Sequence, residues 1–153
     1  MAKEYTTVSP VQQFDDMACW AAAMEWWLKY MGGSRPQLSQ YDIIGIKKVK
    51  DNTYYPEDSD TGNSDANFGG LTKDGMKALF NYSPFKMQYK HYQPRTLKLT
   101  SLQKRLKKSP VVIIYYEPAV QGYHANVIVK AEEVLWGVAD GVTTMEPKNP
   151  SFD

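Results

Sequence analysis

A chain of 153 residues with one cysteine and two histidines has few ways to build a nucleophile. A lone cysteine is more often a small buried hydrophobe than a reactive group. Cys19, however, falls at the first position of a predicted helix, where free backbone N–H groups and the helix dipole favour the thiolate. Only His91 and His124 can act as its base. His124 stands in Gln121-Gly122-Tyr123-His124, directly before a predicted strand and so at a sheet edge, whereas His91 lies amid Lys90 and Arg95 and reads as a surface residue. A third group must orient the imidazole. The predicted strand Val134 to Ala139 ends at Asp140, and a turn near Ala131-Glu132-Glu133 brings that end beside the start of the strand carrying His124. Glu146, in Met145-Glu146-Pro147, competes for the role if the second strand is instead Val142 to Met145. Asp140 ranks first. Acyl chemistry at sulfur also needs a hydrogen-bond donor for the oxyanion, and Gln13 lies six residues before Cys19 on the incoming loop.

These residues need elements to hold them. Residues 1–18 show neither helical nor alternating periodicity and read as an extended arm and loop. From Cys19 to Met31 only Glu25, Lys29 and the Tyr30 phenol interrupt an apolar pattern, with Glu25 and Lys29 an i, i+4 pair, so a mostly buried central helix is expected. Gly32-Gly33 supplies its stop, because glycine accepts the left-handed conformation that closes helices. Ser39-Gln40-Tyr41-Asp42 resembles a capping box opening a short helix over Ile43 to Val49. Residues 51–70 collect turn formers and read as a loop. Within it Asp58-x-Asp60-x-Gly62 has the spacing of a calcium loop, but the twelfth position is Gly69 rather than glutamate, so no metal is expected there, and no cofactor elsewhere. A third helix is predicted over Leu71 to Tyr82, a strand over Phe85 to Tyr92 and a fourth, amphipathic helix over Leu99 to Lys107.

After residue 110 the chain changes character. Val111 to Tyr116, Ala125 to Lys130 and Val134 to Ala139 are β-rich runs separated by turn signals. Helices before residue 110 and strands after it predict a single α+β domain over residues 1–153, a helical lobe with a buried central helix packed on a small antiparallel sheet.

Taken together, Gln13-x5-Cys19-Trp20-Ala21-Ala22, Ser109-Pro110-Val111-Val112-Ile113, Gly122-Tyr123-His124-Ala125-Asn126-Val127 and Val138-Ala139-Asp140 resemble the papain-like cysteine peptidase superfamily. Within it the chain is most similar to the bacteriocin-processing peptidases that cut after a double glycine, and to bacterial effector proteases with a Cys-Trp-Ala-Ala signature. The resemblance implies a papain-like fold with Gln13 in the oxyanion hole, Cys19 as nucleophile, His124 as general base and Asp140 as the orienting carboxylate. The family usually has Pro after this Asp, whereas here Gly141 follows Asp140 and the Glu-Pro pair is Glu146-Pro147. The resemblance further implies an effector or toxin acting on a cytoplasmic protein or peptide target, with a cognate inhibitor protein expected by analogy. If Trp20, Tyr123 and Trp136 wall the cleft, small residues must precede the scissile bond, so cleavage after Gly-Gly is expected. The same Cys-His-Asp arrangement also serves deamidation and acyl transfer, which stay open.

Composition bounds the other readings. With 42% hydrophobic and 23% charged residues the chain is a globular sequence, long enough to bury about 68–70% of its unfolded surface. One cysteine excludes an intrachain disulfide, no leader-like run follows Met1-Ala2-Lys3, and no window approaches a membrane span, so a cytoplasmic site of action and no membrane role are expected. The formal charge is only +1, but residues 75–116 hold nine of the eighteen Lys and Arg and no carboxylate. With Tyr82, Tyr89 and Tyr92 as stacking platforms, this region is the basis of a non-enzymatic alternative that binds nucleic acid or protein. A solvated face or a protein-docking patch is preferred, since no recognisable nucleic-acid module frames the bases.

Overall fold

A computed structural model describes residues 5–14, 18–46, 73–93, 96–117, 122–131, 142–147 and 151–152. In chain order these form α1 (Cys19–Met31), α2 (Gln40–Ile44), α3 (Lys73–Phe80), a 3-10 turn (Ser83–Phe85), α4 (Leu99–Leu106), β1 (Val111–Glu117), β2 (Gly122–Ala131), β3 (Val142–Glu146) and β4 (Ser151–Phe152). The four strands make one antiparallel sheet in the order β1-β2-β3-β4. The architecture is α+β.

The central helix has the bounds its sequence predicts. Ten of its thirteen residues are buried, from Cys19 through Leu28, because apolar side chains occupy nearly every face. Gly32 and Gly33 both take positive φ, 55° and 65°, and the Gly32 N–H closes the helix on the Leu28 carbonyl at 2.9 Å. The one acid within the buried stretch, Glu25, is satisfied twice. Its Oε2 accepts from Lys29 at 3.2 Å and its Oε1 from the Gln40 backbone N–H at 2.8 Å.

Indole groups tie this helix to its surroundings. Trp26 donates to the Val8 carbonyl of the N-terminal arm and Trp27 donates to the Pro110 carbonyl at the mouth of β1. The arm is therefore packed rather than loose. Tyr5 is 1% exposed, lies edge-on to Tyr30, donates its hydroxyl to the Leu106 carbonyl and gives its backbone N–H to Val129 of β2. Burial, with the neighbouring Tyr30 phenol second, raises the Tyr5 pKa.

Several expectations shift. The Ser39/Asp42 capping box forms in full, but the helix it opens begins at Gln40 and stops at Ile44, since a capping serine immediately precedes the first helical residue. The third helix is shorter at its described end, stopping at Phe80. The expected strand over Phe85 to Tyr92 does not form. Pro84 occupies the first turn of the 3-10 segment, Lys86 adopts a left-handed φ of 52°, and residues 86–93 pair with no described strand. The run Val134 to Ala139 and the loop over 51–70 lie outside the described residues, whereas Val142–Glu146 is a strand.

Candidate active site

Cys19 is the first residue of α1 and is 4% exposed. Ala18, at the N-cap, supplies no side-chain acceptor, and no acid stands in the first turn. No carboxylate of the helix itself therefore competes for the positive end of the dipole at the sulfur.

His124 comes to this sulfur from β2. The β1–β2 register sets it opposite Tyr115, whose ring meets the imidazole edge-on at 86° and 5.9 Å. On the other side Val127 is opposite Met145, so Glu146 falls opposite Asn126, two residues from His124 on the same face of the sheet. That diagonal is within reach of long side chains. His124 Nε2 lies 3.0 Å from Glu146 Oε1 and 3.1 Å from Oε2. Both side chains are largely covered, at 19% and 23% exposure.

The His124 pKa is raised from 6.5 to about 9. A hydrogen bond with the Cys19 side chain is the largest cause, burial opposes it, and the Cys19 charge and the Glu146 carboxylate add to the rise. The imidazole thus meets the Cys19 side chain as well as the Glu146 carboxylate, which lies against Nε2. The Cys19 side chain and the Glu146 carboxylate both favour the charged form of the ring.

Gln13 is 8% exposed and lies on the extended arm shortly before α1. Its backbone N–H donates to the Pro147 carbonyl at 2.9 Å, which fastens the arm beside the end of β3 that carries Glu146. Gln13, Cys19, His124 and Glu146 thus belong to one contiguous region built from the arm, α1, β2 and β3.

The expected site residues fare differently. Cys19 and His124 meet, and His91 is exposed. The carboxylate on His124 is Glu146, ranked second from sequence, while Asp140 and Trp136 lie outside the described residues. Trp20 is 2% exposed and packs within the core, so it forms no open cleft wall; an all-round apolar helix directs the residue after Cys19 inward. Tyr123 is placed by its strand, opposite Tyr116. Tyr115 was missed. Its only sequence signal is a place in the apolar run of β1, and its role as the aromatic wall of His124 depends on register.

In the basic region, two of the tyrosines considered as stacking platforms already have aromatic partners. Tyr82 is edge-on to Phe85 and Tyr89 is tilted against Phe80, while Lys90 sits 5.1 Å above the Tyr92 ring. Among the described residues no cluster of His, Cys, Asp and Glu could hold a metal ion, and no helix is long and apolar enough to cross a membrane.

Comparison of the chain with family models, curated proteins and solved structures returns no match.

Proposed function

We propose that the chain is a papain-like cysteine endopeptidase in which Cys19 is the nucleophile, His124 the acid–base group, Glu146 the carboxylate that orients the imidazole, and Gln13 an oxyanion donor. One observation carries this reading: the His124 ring is held between the only cysteine and a carboxylate. A structural cysteine needs neither partner. Nucleophile, base and orienting acid in hydrogen-bonded sequence are the arrangement that acyl transfer requires.

In the proposed reaction the Cys19 sulfur, its proton carried by His124, attacks the scissile carbonyl carbon, forming a C–S bond while the carbonyl π pair moves to oxygen. The oxyanion returns its pair and expels the amine, which takes a proton from the His124 imidazolium. Water, deprotonated by the now neutral His124, attacks the thioester and releases the acid and the free thiol. Glu146 stabilises the charged ring throughout.

The substrate is a protein or peptide. Cleavage after Gly-Gly, a cytoplasmic target, an effector role and a cognate inhibitor protein remain part of the proposal on the strength of the resemblance; the core position of Trp20 removes one of the three aromatics offered as a physical basis for glycine selection. Deamidation and acyl transfer use the same attack and differ in what leaves or arrives.

Intact-mass analysis of a treated target distinguishes them. Two fragments whose masses sum to the target plus one water are expected; a gain of about one dalton on an intact target, or of a new group, would reassign the reaction. A target altered equally by the Cys19→Ala protein would sink the enzyme reading.

A further inference from the structure

An oxyanion donor works only if it is already in place when the charge forms. Among the described residues of its arm, 5–14, Gln13 has neither helix nor strand around it, so its placement must come from specific bonds. In an extended chain successive peptide groups point to opposite sides. The Gln13 N–H points to one side, where Pro147 accepts it at 2.9 Å. The Gln12 carbonyl and the Phe14 N–H point to the other, and both meet one side chain: Gln40 Nε2 donates to the Gln12 carbonyl at 2.8 Å and Gln40 Oε1 accepts from the Phe14 N–H at 3.0 Å. A single carboxamide therefore spans Gln13, bonded to the peptide groups before and after it.

Gln40 is itself anchored. It is 6% exposed, it opens α2 behind the Ser39 capping box, and its backbone N–H is the one held by Glu25 of α1. The helix that presents Cys19 at its first residue thus also fixes, through Glu25 and Gln40, the backbone on both sides of Gln13.

We propose that Gln40 is a positioning residue that holds Gln13 at the oxyanion site, an inference that rests on the reading of Cys19 as nucleophile and Gln13 as donor. It touches no reacting atom. Its effect should be confined to steps that develop an oxyanion.

Two small probes of the same sulfur separate that effect from loss of structure. With p-nitrophenyl acetate the sulfur forms a bond to the acetyl carbon, the carbonyl pair moves to oxygen and back, and p-nitrophenolate leaves, giving acetyl-Cys19. With iodoacetamide the sulfur displaces iodide from a methylene carbon, and no oxyanion forms. Gln40→Met keeps the side-chain volume and removes both bonds to the arm. It should slow acetylation on the order of 10- to 100-fold, as expected for an ångström-scale misplacement, and leave the alkylation rate unchanged. Gln13→Ala should show the same selective loss, about 10²–10³-fold. Adding Gln40→Met to Gln13→Ala should cost nothing more, because the two act through one group. Gln40→Glu, which retains an acceptor for the Phe14 N–H, should lose less than Gln40→Met, and it carries the test should the Met variant not fold.

Unchanged acetylation in both Gln40 variants, an equal fall in both reactions, or losses that add in the double variant would overturn the proposal while leaving the cysteine-hydrolase reading intact. If wild-type Cys19 forms no acetyl thioester, or if Cys19→Ala releases p-nitrophenolate as fast as wild type, the underlying reading fails and the role of Gln40 falls with it.

Discussion

The backbone N–H of Gln13 donates to the carbonyl of Pro147 at 2.9 Å, one residue beyond the carboxylate that holds His124. Segments more than 130 positions apart in sequence are thereby joined at the site. A change in β3 that tilts Glu146 is transmitted to the amide proposed for the oxyanion as well as to the imidazole.

Glu146→Gln is expected to lower kcat more than Asp140→Asn does. The carboxylate bonded to His124 is that of Glu146, and an amide can favour the wrong ring tautomer. The loss should stay below the roughly 10⁴-fold cost of the equivalent change in a serine-protease triad, because the Cys19 side chain, the largest cause of the raised His124 pKa, also holds the ring. Steady-state rates on one substrate decide it, and the reverse order would return the role to Asp140.

Activity should fall on the alkaline side as pH rises through about 9, since His124 holds its proton up to that point and the leaving amine takes it from the ring. An NMR titration of the imidazole carbon proton reads the same group directly. Cys19→Ala removes the largest cause of the rise and leaves burial opposing the charge, so the His124 midpoint should drop well below 9 in that variant. Glu146→Gln should lower it by less. A midpoint that stays near 9 without the thiol would contradict the Cys19–His124 contact.

Cys19→Ala should abolish turnover while the circular dichroism spectrum and cooperative melting persist, because the change removes one atom from a helix whose remaining buried residues keep their packing. Retained turnover would show that the buried thiol is only a space filler.

Trp27→Phe removes the indole N–H that bonds the Pro110 carbonyl at 3.1 Å, and with it part of the surface over which Arg35 lies at 5.2 Å. Leaving a buried carbonyl unpaired costs about 1–3 kcal/mol. Urea denaturation should show a lower midpoint at unchanged slope, the sign of lost stability rather than a changed denatured state.

The parts of this fold that are legible in the sequence are those specified by near neighbours. Met24 to Leu28 and their apolar flanks define a buried helix, Gly32-Gly33 its end, Val111 to Tyr116 a strand, and Ser39 with Asp42 a cap. The segment Phe85 to Tyr92 misleads because alternation alone does not supply a partner strand, and Pro84 with the left-handed Lys86 turns the backbone away from extended pairing. The choice between Asp140 and Glu146 depends on which residues after 131 pair with β2. Val142, Thr143 and Thr144 carry a β-branched preference equal to that of the more apolar run before them, and only the register Val127 to Met145 puts a carboxylate diagonal to His124. Gln40 had no local signal at all. Its partners, Gln12 and Phe14, are 28 and 26 residues away, and a polar residue just inside a helix start is ordinarily solvent-facing.

The burial of α1 also sets how the molecule yields to heat. Amide protons in the middle of this helix, around Met24 to Leu28, exchange with solvent only when the structure opens broadly, whereas Cys19 stands in its first turn, whose N–H groups lack intrahelical acceptors. The arm bearing Gln13 is joined to that same core by buried Tyr5 and by its bonds to Val129, Pro147 and Gln40. Arm and helix are therefore expected to lose their protection in one cooperative step on warming, which amide exchange followed along the chain would show.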